Sequence, residues 1–196
     1  MIDAHQAQSI VLRHCEGAPA SERFAIQSCE LSPRGDFWVV RANSEDYVLH
    51  GRFERCYIGV NAFLVNIGTG EIETVGSGQS YEQYLQDKYD VIDAAERKYV
   101  MTPSFDRTNK MELIRLRQEI GCSLQSALRL LSPEHCMWFT GKLRLLERAK
   151  DMFKAHGIET QVDLKPASGS AVEMKEEMWH WEAVRSALSE RANSLS

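Results

Sequence analysis

The side chains most able to do chemistry are six histidines and five cysteines, and their spacing matches no catalytic or metal-binding pattern. No histidine stands in an HxxxH or HExxH motif, and no two cysteines form a CxxC pair. His135 and Cys136 are neighbours, but neighbouring side chains on a strand point to opposite faces and cannot form a dyad. An odd number of cysteines is also a poor disulfide framework. The sequence therefore predicts reduced, buried cysteines, no enzymatic activity, no metal and no cofactor.

Carboxylates are concentrated in the first part of the chain, at Glu45, Asp46, Glu54, Glu71 and Glu73. Glu71 and Glu73 are two residues apart, which places them on one face of a strand. Paired carboxylates can act in acid–base catalysis. A solvated sheet face is the simpler interpretation, and a third is a surface whose negative field attracts a basic protein. We take these five as candidate partner-binding residues.

The middle of the chain is basic, which leaves nucleic-acid binding as an alternative. Its cations are Arg115, Arg117, Arg129, Lys142, Arg144, Arg148, Lys150 and Lys154. Aromatic residues do not alternate with them, and the whole chain carries a net charge of −5. Both observations disfavour a nucleic-acid interface.

Two tryptophans near the C-terminal end of the sequence, Trp179 and Trp181, form an apolar patch with Met174 and Met178. Tryptophans often anchor protein–protein interfaces, so both are candidate contacts. The other interpretation is that this segment packs on its own chain or on a second copy.

The 196 residues divide by charge into three segments. Residues 1–96 carry a net charge of −8, residues 97–167 carry +5, and residues 168–196 carry −2. A change of sign between long segments indicates a domain boundary. The sequence has no run of eighteen apolar residues and no basic segment followed by an apolar one at its start. We therefore expect a cytoplasmic protein with no membrane contact.

Residues 1–95 predict an α+β domain in the order helix, antiparallel sheet, helix. Asp3 and Gln6 have the spacing of a capping box that starts a helix at Ala4, and Ser80 and Gln83 start another. The predicted strands are Phe24–Leu31, Phe37–Ala42, Tyr47–Leu49, Ala62–Asn66 and Glu71–Val75, and a turn is predicted at Ser44–Asp46.

Residues 96–166 predict a second small α+β domain with the order β-α-α-β-α-β. The predicted strands are Lys98–Thr102, Cys136–Phe139 and Ile158–Leu164, and the predicted helix caps are Asn109, Ser123 and Thr140. The third segment, residues 167–196, is interpreted as a linker and an amphipathic helix that starts at Ser170.

A family resemblance follows from four stretches of the first domain. They are Gly35–Val40, Gly59–Ile72, Gly76–Gly78 and Ser80–Leu85, which place a tryptophan strand, a glycine-led strand, a TG hairpin and a helix in order. Through them, residues 3–93 resemble the bacterial immunity protein 35 domain, also named the YrhB domain. The resemblance implies a non-enzymatic protein that binds and neutralises a secreted polymorphic toxin, and it transfers no contact residue.

A second resemblance covers residues 98–164. Their element order and the stretch Leu116–Leu131 are similar to the C-terminal domain of the bacterial ribosomal stalk protein. The lysines with which that domain recruits translation factors are absent here, so the similarity concerns the fold alone.

We therefore expect two small α+β domains and a C-terminal amphipathic helix. The expected function is immunity against a cognate toxin that has a basic surface. The alternatives are an adaptor or chaperone-like protein-binding module, and a nucleic-acid- or ribosome-associated protein that uses residues 97–167.

Overall fold

The computed structural model describes residues 1–16 and 23–195 and shows an α+β protein. Within the described residues there are seven α-helices and two four-stranded sheets. The helices are α1 (Ala4–Glu16), α2 (Glu45–His50), α3 (Tyr81–Ala94), α4 (Lys110–Ile120), α5 (Leu124–Leu130), α6 (Leu143–Ala155) and α7 (Trp181–Ser194). The strands are β1 (Phe24–Leu31), β2 (Phe37–Ser44), β3 (Val60–Asn66), β4 (Ile72–Gly76), β5 (Lys98–Pro103), β6 (Phe139–Thr140), β7 (Thr160–Lys165) and β8 (Val172–Glu173).

The chain divides into two compact units, unit 1 (Met1–Gln86) and unit 2 (Asp87–Ser196). The division falls inside α3, whereas the sequence interpretation placed it after residue 95. Helix α7 belongs to unit 2 and is not a separate tail.

Unit 1 is an antiparallel sheet in the order β1-β2-β3-β4, with α1 packed on one face. Ala7 and Val11 of α1 lie against Val40, Phe63 and Val65 of the sheet, and all five are buried. The capping box that begins α1 is confirmed, because the Asp3 and Gln6 side chains each accept a bond from the other's backbone N–H, at 2.8 and 2.9 Å.

The segment after β2 differs from the prediction. The predicted turn at Ser44–Asp46 and the predicted strand at Tyr47–Leu49 are wrong, because Glu45–His50 forms the helix α2. Ser44 is its N-cap and accepts a hydrogen bond from the Tyr47 N–H at 3.1 Å. A capping serine followed by two acidic residues favours the first turn of a helix, and the sequence interpretation missed this signal.

Unit 2 is a sheet in the order β7-β5-β6-β8, in which only the β6–β8 pair is parallel. The predicted order β-α-α-β-α-β is confirmed, and β8 is an additional strand. Asn109 and Ser123 cap α4 and α5 as predicted. Thr140 does not cap α6, because it lies in β6, where its hydroxyl donates to the Tyr99 carbonyl at 2.8 Å.

The core of unit 2 is built around Trp138, Phe139 and Phe153, which are fully buried. Helix α6 faces this core with Leu145, Leu146 and Ala149. Helix α7 begins at Trp181, eleven residues after the predicted cap at Ser170. Its inward residues Val184, Leu188 and Ala192 are fully buried in the same core.

Candidate protein-binding surface

A pair of polar residues at the end of β2, Asn43 and Ser44, holds the following loop in place. Both are buried. The Asn43 side chain donates to the Tyr57 carbonyl at 3.0 Å and accepts from the Tyr57 N–H at 2.8 Å and the Ser44 N–H at 2.8 Å. The Ser44 hydroxyl donates to the Arg55 carbonyl at 2.6 Å. The backbone at Arg55–Tyr57 is thus tied to the sheet by hydrogen bonds, so its apolar side chains are not needed to hold it.

Large apolar side chains in the last turn of α2 and on the loop that follows it face solvent. Leu49 is 61% exposed, Phe53 is 78% exposed and Ile58 is 92% exposed, and Val60 at the start of β3 is also exposed. We refer to residues 49–60 as the apolar segment. Exposed apolar groups in this number on one short loop are typical of a binding surface.

The apolar segment borders a groove of about 240 Å³ in unit 1. Ile58 and Val60 line it on one side, and His14, Cys15 and Phe24 line it elsewhere. Phe24 and the Tyr57 ring are 5.1 Å apart between centroids, which ties the loop to β1. A partner side chain could therefore extend from the exposed loop into a mainly apolar groove.

The five predicted carboxylates do not form one surface. Glu45 and Asp46 are in the first turn of α2, and Glu54 is exposed in the 3₁₀ turn at Phe53–Arg55. Glu71 and Glu73 belong to the β3–β4 hairpin. Its turn pairs with the Phe37 end of β2, at the opposite end of that strand from Ser44.

The sheet register places Glu71 level with Phe37 and Glu73 level with Val39 of β2. These positions are seven and five residues from Ser44, which is roughly 23 and 17 Å along the strand. The Thr69 hydroxyl donates to Glu71 at 3.1 Å, and the Tyr84 hydroxyl donates to Glu73 at 2.9 Å. Glu45 and Asp46 precede the apolar segment, and Glu54 lies within it.

The two candidate tryptophans have different environments. Trp179 is 65% exposed. Trp181 packs on its own unit, with its ring 5.3 Å from Phe153 at 90° and stacked 3.9 Å from His156. The structure therefore leaves Trp179 available to a partner and shows Trp181 contributing to the edge of the core.

His156 and His180 are engaged in structural contacts. His156 Nδ1 is 2.7 Å from Glu119 Oε2, and His180 Nδ1 accepts from the Ala183 N–H at the start of α7. His135 and Cys136 lie in a turn and not on the predicted strand. In residues 1–16 and 23–195, no group of three His, Cys, Asp or Glu side chains is arranged to hold a metal ion.

Three thiols are poor nucleophiles. Burial raises the pKa of Cys15, Cys29 and Cys122 above the ordinary value, so these thiols stay protonated near neutral pH.

Several cations of the basic middle segment are neutralised within unit 2. Asp87 is 3.0 Å from Lys142 Nζ and 2.8 Å from Arg144 Nε. Glu176 also binds both cations, and these bonds, led by that from Arg144, lower the pKa of Glu176. Arg115 and Lys150 pair with carboxylates three residues away on their own helices. Half of the eight predicted cations are therefore committed to internal pairs, which weakens the case for nucleic-acid binding.

Unit 2 also contains a cavity of about 530 Å³, lined by both acidic and basic side chains. Lys142 and Asp87 on its wall are paired with each other, so they present little net charge to a ligand. In the part of the chain that the structure describes, no helix is long and apolar enough to cross a membrane.

Comparisons of the chain with family models, with curated proteins and with solved structures find no match. The surface itself is therefore the basis for a functional interpretation. Sequence reasoning did not identify Leu49, Phe53 and Ile58 as exposed, because Leu49 was assigned to a strand and no element was predicted for the stretch that contains Phe53 and Ile58.

Proposed function

We propose that this protein is a cytoplasmic, non-enzymatic immunity protein that neutralises a bacterial toxin by binding it directly through the apolar segment of unit 1. The observation that carries the proposal is that Phe53 and Ile58 are exposed on a loop whose backbone at Arg55 and Tyr57 is fixed by buried Asn43 and Ser44, and that Leu49 is exposed in the last turn of α2 before it. The resemblance of residues 3–93 to the immunity protein 35 domain supports the toxin as the partner.

A loop that is already fixed is well suited to tight binding. Ordering of flexible loops is a large part of the cost of association, and hydrogen bonds have already ordered this backbone. Neutralising a toxin requires a subnanomolar complex, which corresponds to about −12 kcal/mol. Apolar anchors at the centre of an interface supply most of such an energy.

The charges around the apolar segment indicate the partner's surface. Glu45 and Asp46 precede the segment, and Asp46 pairs with Arg52 at 3.1 Å. Glu54 lies within the segment between Arg52 and Arg55, and these five charged residues together carry a net charge of −1. Border charges mainly accelerate association, so a basic toxin surface fits this arrangement.

The test is a pull-down from the native bacterium with the tagged full-length chain, washed at high salt. The variant Phe53→Ser/Ile58→Ser removes two anchors, and Met111→Ser is the matched control because Met111 is equally exposed on α4 of unit 2. We expect one stoichiometric partner with the wild type and with the control, and its loss with the double variant.

Co-expression then identifies the activity. We expect the captured protein to be toxic when expressed alone and harmless when the wild-type chain is present. Retention of the partner by the double variant would remove the apolar segment from the interface. A partner that is not toxic, or the capture of RNA that is lost as salt rises, would contradict the immunity function.

A further inference from the structure

A buried arginine in α7 has no carboxylate partner among the residues that the structure describes. Arg191 is 7% exposed. Its Nη2 donates to the His135 carbonyl at 3.3 Å and to the Ser170 hydroxyl at 3.1 Å, and its Nε has no hydrogen-bond partner. Among residues 1–16 and 23–195, no carboxylate pairs with this guanidinium.

An unpaired buried charge is costly. A guanidinium transferred from water loses several kcal/mol of solvation, which a carbonyl and a hydroxyl offset only in part. Burial lowers the pKa of Arg191 in agreement with this. An apolar residue of similar volume would stabilise the core better, so the arginine is suited to an anion that is not part of the unmodified chain.

One of the two groups that Arg191 contacts, the hydroxyl of Ser170, belongs to an exposed residue. Ser170 is part of a turn in which the Ala171 N–H donates to the Ser168 carbonyl at 3.0 Å. Gly169 has φ +53°, and a Cβ there would come within 2.8 Å of Met137 Cε, so the turn lies against the Met137 side chain. The segment predicted as a flexible joint therefore holds one hydroxyl against the guanidinium.

We propose that Arg191 is the receptor for a phosphate group carried by Ser170. A protein kinase would transfer the γ-phosphoryl group of ATP to Ser170 Oγ. The Oγ–P bond forms, the bond between the γ-phosphorus and the β–γ bridging oxygen breaks, ADP leaves, and the hydroxyl proton passes to the kinase's base. The phosphoryl oxygens then accept from Nη2 and from the unpartnered Nε, the forked geometry that arginine offers to phosphate.

This proposal is independent of the toxin-binding function. Ser170 is two residues before β8, and the Val172 N–H donates to the Trp138 carbonyl at 2.9 Å. A phosphate bound by Arg191 would add a link between α7 and the segment that leads into β8, and would stabilise unit 2.

The experiment compares thermal unfolding of the full chain with and without phosphoserine at position 170, incorporated during translation. We expect phosphoserine 170 to raise Tm by about 4 °C and this gain to disappear in Arg191→Met. The matched control is phosphoserine at position 186, where the hydroxyl donates to Glu190 at 3.0 Å and a phosphate would be repelled. It should leave Tm unchanged or lower it.

A second readout does not depend on how well the Arg191 variant folds. The ³¹P resonance of phosphoserine 170 should titrate with a second pKa about one unit below its value in the same chain unfolded in urea. An unchanged Tm, or a phosphate pKa equal to that in the unfolded chain, would overturn the proposal. The unmodified chain is also measured with 10 mM inorganic phosphate. If this phosphate raises Tm as much as phosphoserine does, the group that Arg191 binds is a free oxyanion, and the proposal that the phosphate is attached to Ser170 is overturned.

Discussion

Removal of the Asn43 side chain tests the idea that hydrogen bonds, rather than apolar packing, hold the apolar segment. Asn43→Ala removes three hydrogen bonds of 2.8 to 3.0 Å to the backbone of Ser44 and Tyr57. Each contributes a net of about 1 kcal/mol. We therefore expect the free energy of unfolding of unit 1 to fall by about 3 kcal/mol.

The assay is urea unfolding of the full chain labelled with 5-fluorotryptophan. Trp38 is the one tryptophan of unit 1, so its ¹⁹F resonance reports on that unit. With a slope of about 1.5 kcal/mol per molar urea, a loss of about 3 kcal/mol moves the midpoint by about 2 M.

The control is Asn61→Ala in the same unit, where the side chain accepts one exposed hydrogen bond from Arg41 at 3.3 Å. Its effect should stay below about 0.5 kcal/mol. Equal midpoints for the two variants would refute the role of Asn43. In that case the loop is held by its apolar side chains, and their exposure would have to be explained otherwise.

Three further predictions concern other parts of the fold. Trp181→Ala should lower the free energy of unfolding of unit 2 by about 3 kcal/mol, because the Trp181 ring packs on the core. Trp179→Ala should lower it by less than about 0.5 kcal/mol. Both are measured in the same ¹⁹F-monitored urea titration. Gly70→Ala should lower the stability of unit 1 by about 1 to 2 kcal/mol, because Gly70 has φ +76° and a Cβ would lie 2.6 Å from Ile2 Cδ1. Gly78→Ala, where φ is not positive and a Cβ would meet nothing within 4 Å, should be nearly neutral. Glu176 has a lowered pKa, so its contribution to the stability of unit 2 is complete above the ordinary pKa of 4.5 and is lost as the pH falls through the lowered pKa. Glu176→Gln should therefore reduce the loss of stability of unit 2 below pH 4.5. The reduction should be at most about 0.5 kcal/mol, since the side chain is mostly exposed.

Local signals in the sequence predicted the elements that depend on nearby residues. The hairpin around Gly68–Gly70 and the caps at Asp3 and Asn109 were predicted because turn chemistry and capping are decided within four residues. The helical stripe of α4 was predicted for the same reason.

Elements fixed by distant partners were not predicted. Thr140 has the composition of a cap, but pairing with Val100 places it in a strand. β8 has only two residues, Val172 and Glu173, and exists because β6 offers its edge. The helix predicted from Ser170 therefore begins only at Trp181, after this strand. The site at Arg191 could not be predicted from the sequence, because no pattern of residue types reveals that a buried guanidinium lacks a carboxylate partner among the residues described.

The position of α7 in the core of unit 2 affects the order in which the protein can fold during its synthesis. All four strands of unit 1 are complete once residue 76 has emerged from the ribosome, whereas the core of unit 2 needs Val184, Leu188 and Ala192. At a translation rate of about 5 to 20 residues per second, roughly 5 to 20 seconds separate the two events. Phe153 emerges 39 residues before Ala192, so the core aromatic side chains of the second unit lack the helix that covers them for roughly the last 2 to 8 seconds of this interval, when the nascent chain is most dependent on chaperones.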